Sequence, residues 1–153
     1  MKKDIILAGV GGQGILTIAT IIGDAAAAAG VNLKQAEVHG MSQRGGDVQS
    51  NLRLSTEAIH SDLIKQGSAD IIISMEPMEA LPNVAVMPIE DLAKQNNMPK
   101  SANVVLLGMA AGYIEILSPE QLRESIKRLF SSKGESIVEM NCKAFDLGLS
   151  AVK

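Results

Sequence analysis

A short strand at residues 4–8, apolar from Ile5 onward, runs straight into Gly9-Val-Gly-Gly-Gln-Gly14, and a long apolar helix follows from Gly14 to about Ala29. Strand, tight glycine turn and helix in that order are the opening of an α/β unit. The strand is buried and the helix packs back on the sheet. The turn gathers backbone N–H groups and a helix N-terminus at one spot beside the sheet, a place that favours negative charge. Gly9, Gly11, Gly12, Gln13 and Gly14 are therefore the candidate cofactor-binding turn. The plainer alternative is that the same glycines only permit a tight turn and close packing of the helix.

A second strand is expected at residues 32–38, followed by His39-Gly-Met-Ser-Gln-Arg-Gly-Gly46. Glycines on both sides of Arg44 would let backbone approach a ligand or another chain, and a guanidinium can hold a carboxylate or phosphate through two hydrogen bonds. His39, Ser42, Gln43, Arg44, Gly45 and Gly46 form a candidate substrate or interface loop. Alternatively, Arg44 pairs locally with Glu37 or Asp47 and shapes the hairpin, while His39 has no acid–base partner identifiable from spacing. If strands one and two are parallel neighbours, both loops meet at the carboxyl edge of the sheet, the usual ligand crevice of such folds.

Residues 47–54 alternate, with Val48, Leu52 and Leu54 on one face and Asp47, Gln49, Asn51 and Arg53 on the other, as in a half-exposed strand. The eight-residue loop before it is too short for a parallel crossover. Strand three is thus expected to run antiparallel to strand two or to lie near the sheet edge. Glu37 near the end of strand two completes a dinucleotide-type pattern with the glycine turn. The short second connection and the modest length argue against that reading, a stand-alone NAD(P)- or nucleotide-binding module, which stays as the alternative.

Further along, residues 55–58 read as a turn, 59–61 as a short returning strand and 69–75 as another buried strand. A short helix is expected at 76–81, a brief strand at 84–87 and a helix at 89–95. Ser101 is expected to cap an apolar helix over 102–114, whose Gly108 and Gly112 permit close backbone approach. Ser118-Pro-Glu-Gln121 is a capping-box start with Pro at the first helical position, and a last helix spans about 136–149. The whole reads as one domain, 1–153: α/β, a Rossmann-like three-layer domain with a mixed, mostly parallel sheet and an antiparallel hairpin near its edge. The helices at 15–29 and 102–114 are apolar on most sides, which suggests cover from a partner subunit.

Aromatic residues are only 2% of the 153, so the core must be aliphatic and base stacking on nucleic acid is disfavoured. A net charge of −3 without a basic run points away from duplexes and anionic membranes. Asp24 interrupts the long apolar stretch, which reads as a buried helix rather than a membrane span. The lone Cys142 cannot form an internal disulfide or ligate an iron–sulfur cluster alone, and suits a reducing cytoplasm. The methionines after Met1 read as core or interface filler rather than as a metal site. Glu76 and Glu79 could orient the arginine loop or start a helix. No catalytic constellation or metal-ligand spacing emerges.

Five segments in order carry a resemblance: Gly9–Gly14, Glu37–Gly46, Asp70-Ile-Ile-Ile-Ser-Met-Glu-Pro77, Ser101-Ala-Asn-Val-Val-Leu-Leu-Gly108 and Asn141-Cys-Lys-Ala-Phe145. Together they resemble the gamma-type domain of 2-oxoacid:ferredoxin oxidoreductases, and Ser42-Gln-Arg-Gly-Gly46 resembles the indolepyruvate branch of that family. The resemblance implies a small accessory subunit of a complex that oxidatively decarboxylates a 2-oxoacid with coenzyme A, giving acyl-CoA, CO2 and reduced ferredoxin. Thiamine diphosphate, Mg2+ and [4Fe–4S] clusters would sit in a large partner subunit, and none is expected on this chain alone. It further implies that the Arg44 loop faces the active site. Family members usually carry an extra strand and loop where residues 80–83 pass directly here.

Overall fold

A computed structural model describes residues 1–39, 46–76 and 87–152, His39 by its backbone alone. Residues Gly40, Met41, Ser42, Gln43, Arg44 and Gly45 lie outside the described residues. So do the helix expected at 76–81 and the strand expected at 84–87, apart from their end residues Glu76 and Met87.

Among the described residues, four strands form one sheet in the order β2-β3-β1-β4: β1 (Lys2–Val10), β2 (Asn32–His39), β3 (Asp47–Ser55) and β4 (Ile71–Ser74). β3 is antiparallel to both β1 and β2, and β4 is parallel to β1. Three strands therefore point one way and β3 the other, with the β2–β3 hairpin forming one side of the sheet. The antiparallel run expected of strand three is present, but its position is central. β1 and β2 point the same way without being neighbours, because β3 lies between them.

Two extents differ from the sequence reading. β1 reaches two residues beyond the apolar stretch at each end, because its ladder with β3 continues from Lys2↔Ser55 to Val10↔Asp47. Residues 59–61 make no strand; they belong to a loop held by side chains instead. β4 is shorter than expected and is not buried throughout: Ile73 is enclosed while Ile72 is exposed.

One sheet face is aliphatic. Ile5, Leu7, Leu52, Leu54 and Ile73 are all buried on it, and opposite residues in the register share that face. Full burial of one such side chain contributes about 1.5–3 kcal/mol. Helices α1 (Ile15–Ala28) and α3 (Ala102–Ile114) pack on this face. Behind them lie α4 (Pro119–Phe130) and α5 (Glu135–Ala151), and α2 (Ile89–Gln95) packs against α3. The layers are thus sheet, inner helices and outer helices.

That stacking corrects one expectation. The apolar helices were expected to need a partner's cover. Of α3, only Leu106, Gly112, and Tyr113 escape burial, because α5, α4, α2 and the sheet surround it. α1 is covered along Ile18, Ile21, Ile22 and Ala25, and exposes Leu16 (41%). Its Asp24 pairs with Arg128 of α4 at 2.6 Å, and the buried Ser125 hydroxyl donates to Ile21 O at 2.9 Å. Ser118 caps α4 in a full capping box. Ser101 makes no such cap on α3; its hydroxyl turns to Asn141 of α5 instead.

The α3–α5 contact is backbone against backbone. A Cβ at Gly108 would meet Phe145 O at 2.1 Å, and one at Gly148 would meet Val105 O at 1.9 Å. Gly112, in the same helix, has open space. Gly108→Ala and Gly148→Ala should each force the helices apart and lower stability by about 2–3 kcal/mol, as overpacking does. Gly112→Ala should raise it by about 0.5–1 kcal/mol through helix propensity. Urea unfolding of the three variants checks this; equal effects at 108 and 112 would contradict the crossing.

The opposite sheet face carries a buried charge. Asp4 is 1% exposed, with Arg53 at 2.9 Å and Lys2 at 2.7 Å. Arg53 also donates to Ser61 O and Leu63 O at 3.0 Å, fastening the loop after β3. Burial works against the Asp4 charge, but hydrogen bonds and attraction from Arg53 and Lys2 outweigh it and hold the carboxyl below its usual 3.8. A carboxylate lowered on folding stabilises the fold above its unfolded pKa, and that gain is lost as pH falls through the folded value. Stability should therefore decline as pH drops below about 4. Arg53→Met, which strips the main partner from a buried carboxylate, should cost about 3 kcal/mol at neutral pH and expose residues 58–63 to proteolysis. Acid titration of unfolding and limited proteolysis read the two effects.

Candidate functional site

The turn after β1 is held from three sides. Inside it, Gln13 N donates to Val10 O (3.1 Å) and Val10 N donates to the Gln13 side-chain oxygen (2.8 Å). The Gln13 amide nitrogen then donates to the Glu76 carboxylate, just past β4. Glu76 is fixed in turn by Ser74, whose hydroxyl accepts from Glu76 N (3.1 Å) and donates to Glu76 O (2.7 Å). On the helix side, Asn103 of α3 donates to Gly14 O at 3.1 Å. On the β3 side, Gly11 N donates to Gly46 O at 3.1 Å.

The last contact decides where the two glycine segments lie. Gly46 is the end of the second loop, and it is bonded to the first. His39 closes β2 opposite Val48, beside the Asp47 that faces Val10. Both segments thus emerge at one sheet edge, as expected, although β1 and β2 are separated by β3. Gly9, Gly11, Gly12, Gln13 and Gly14 come together with Gly46, while the His39 backbone ends β2 at the same edge, on the far side of β3. The remaining loop residues expected there, Ser42, Gln43, Arg44 and Gly45, lie outside the described ones.

Gly11 and Gly12 are exposed, and among the described residues a Cβ at Gly12 would meet nothing within 4 Å. Gly9 is different: a Cβ there would run into Ile15 and Gln13. Gly14 adopts φ +82 as the residue before α1, and a Cβ there would lie 2.5 Å from Asn103 Nδ2. Sequence reasoning missed Asn103, although it lies within a segment that carried the family resemblance. The one available signal was a polar residue in the first turn of an otherwise apolar helix.

The same topology removes the geometric basis of the dinucleotide reading. That reading needs Glu37 on a strand adjacent to β1. Here Glu37 is two strands away, roughly 10 Å at the usual spacing, and Gly46 fills the intervening place at the turn. Among the described residues no three His, Cys, Asp or Glu side chains gather to hold a metal. Cys142 is buried in α5, and burial pushes its thiol pKa up, away from the reactive thiolate. A groove of about 680 Å3 beside α5, lined by Met98, Glu139, Met140 and Lys143 among others, does not include the turn.

The chain matches the pyruvate ferredoxin/flavodoxin oxidoreductase family over residues 4–85 and 76–151. It belongs to that family. Two relatives are named indolepyruvate oxidoreductase subunit IorB. That of Archaeoglobus fulgidus is 31% identical, with 97% of this chain and 94% of the relative covered. That of Thermococcus kodakarensis is 32% identical, with 100% and 98% covered. Among solved structures, the gamma subunit of a keto/oxoacid ferredoxin oxidoreductase from Geobacter sulfurreducens superposes with a TM-score of 0.75 at 22% identity, covering 98% of each chain. A 2-oxoglutarate:ferredoxin oxidoreductase from Magnetococcus marinus gives a TM-score of 0.83 at 22% identity, where this chain spans 31% of the other. These two structures establish the family's fold.

The alignment to the first relative spans 194 positions against 153 residues here, so that relative carries residues without a counterpart in this chain. The family match itself divides at residues 76–85, the stretch that reads as shortened in sequence.

Gly14→Ala should therefore cost more than Gly12→Ala. Both adopt positive φ, worth about 1–2 kcal/mol for an L-residue, but only position 14 also collides with Asn103. Removing that side chain with Asn103→Ala should recover part of the Gly14→Ala loss in a double-mutant cycle of urea unfolding. A strictly additive pair would show that the two do not touch.

Proposed function

We propose that this chain, as a single gamma-type domain over 1–153, is the small subunit of an indolepyruvate-type 2-oxoacid:ferredoxin oxidoreductase. The assembled complex would cleave an aryl 2-oxoacid oxidatively with coenzyme A, releasing CO2 and acyl-CoA and passing two electrons to ferredoxin. Family membership and near full-length similarity to subunits bearing that name support this. A lone buried Cys142 does not fit an iron–sulfur cluster, which takes several thiolates. Thiamine diphosphate, Mg2+ and [4Fe–4S] clusters are accordingly assigned to a large partner subunit, and no step is routed through this chain's cysteine. No described helix is long and apolar enough to cross a membrane, and a cytoplasmic location is part of the proposal, as is the lack of a nucleic-acid partner.

The carrying observation is the hydrogen bond from Gly11 to Gly46, which joins the glycine turn to the stem of the loop bearing Arg44. We assign this edge, with Gly9, Gly11, Gly12, Gln13 and Gly14 on one side and His39, Ser42, Gln43, Arg44, Gly45 and Gly46 on the other, to the partner's active-site mouth. There Arg44 would take a carboxylate or phosphate of substrate or coenzyme A.

Co-expression with the large subunit should give a stable complex on gel filtration; a chain that stays alone would refute the assignment. In that complex Arg44→Ala should leave assembly intact and lower kcat/KM roughly 10–100-fold, the loss of a charged hydrogen bond worth about 1.5–3 kcal/mol. Unchanged turnover and unchanged coenzyme A affinity would remove Arg44 from the site.

A further inference from the structure

We infer that Gln13 and Glu76 are positioning residues that act on the second loop through the backbone of the first; the inference rests on the function proposed above. Gln13 uses both ends of its amide. Its oxygen accepts from Val10 N and its nitrogen donates to Glu76. Between Val10 and Gln13 sits Gly11, whose N–H holds Gly46 O. The direction of that N–H follows from how the turn is closed, and the Gln13 side chain reinforces the backbone bond from Gln13 N to Val10 O that closes it.

Glu76 supplies the fixed end. Its backbone is bonded twice to the Ser74 hydroxyl. Ser74 pairs with Ala8 in the parallel ladder, and Met75 N donates to Ala8 O at 3.0 Å. The pair therefore ties the exit of β4 to the exit of β1, and through Gly11 to the start of β3. Gly46 stands two residues after Arg44, so the tie ends at the stem of the proposed active-site loop. Both Gln13 and Glu76 are half-buried, where a charge-assisted hydrogen bond is stronger than in open water.

The chemistry of the pair gives a selective test. One amide facing one carboxylate works in either order, whereas two carboxylates repel. Gln13→Glu places like charges together. Gln13→Glu with Glu76→Gln restores one amide and one carboxylate, and position 13 still offers an oxygen to Val10 N–H. Two readouts are taken: amide hydrogen exchange of Gly11 by NMR in the full chain, and kcat/KM of the assembled complex for 2-oxoacid and for coenzyme A. The single variant should lose at least tenfold of Gly11 protection and about tenfold of kcat/KM, mainly through KM, and the swapped pair should recover both.

Unchanged Gly11 protection in the single variant would overturn the inference, as would failure of the swapped pair to restore it. Protection lost and regained with steady-state kinetics constant throughout would overturn the positioning role in catalysis. That last result would leave subunit assembly untouched, because co-purification of the unaltered chain tests the proposed function separately.

Discussion

β3 lies between β1 and β2 and bonds to both, and most of what the molecule presents at the edge bearing the glycine turn depends on that insertion. A connection of residues 40–46 cannot carry a parallel crossover, so the chain must turn back on itself after β2. Because the returning strand takes the place next to β1, its first residue lands opposite the last residue of β1. The loop after β2 and the turn after β1 then share one edge, and the backbone hydrogen bond from Gly11 to Gly46 joins them. The same insertion moves β2 outward and takes Glu37 away from the glycine turn. A pattern associated with nucleotide binding is thereby converted into a different polar edge.

The helices reinforce this one-sided design. α1 and α3 cover the aliphatic face, and α4 and α5 cover them in turn, so an almost wholly apolar α3 needs no cover from outside. With two phenylalanines and one tyrosine in the chain, the inner tier cannot be filled by large rings. It is closed instead by bringing backbones together at Gly108 and Gly148. The other sheet face keeps Asp4, Arg53, Asn51 and Gln49, with Val38 59% exposed. Association with a partner is thus not forced by uncovered helices; its support comes from the family and from the edge bearing the two loops.

The legible parts of the fold were those governed by local chemistry. Strand, turn and helix at the start of the chain follow from apolar runs and glycine spacing. The Ser118 cap follows from a capping box, and the 89–95 and 102–114 helices match their expected bounds. What could not be read depended on which segments meet. Nothing local says that β3 inserts beside β1, or that Gly148 faces Val105. The clip at the site had a visible half, Gln13 inside the glycine motif. Its other half, Glu76, was noted only as able to orient the arginine loop or start a helix, because a contact across sixty-odd residues leaves no trace in spacing. Ser101 shows the converse: a residue of good capping type bonds Asn141 of α5 because tertiary packing offers that partner.

The shortened region takes on meaning beside this geometry. The family match divides at residues 76–85, and Glu76 is the first of them. Everything seen to hold Glu76 lies upstream or across the sheet: the Ser74 hydroxyl, the ladder from β4 to β1, and Gln13 itself. Among the described residues, the Glu76 carboxylate is thus anchored from β4 and from the glycine turn. That anchoring keeps the turn closed, the Gly11 N–H aimed at Gly46 and the stem of the second loop in place. Among the described residues, the polar edge belongs to the ends of three strands.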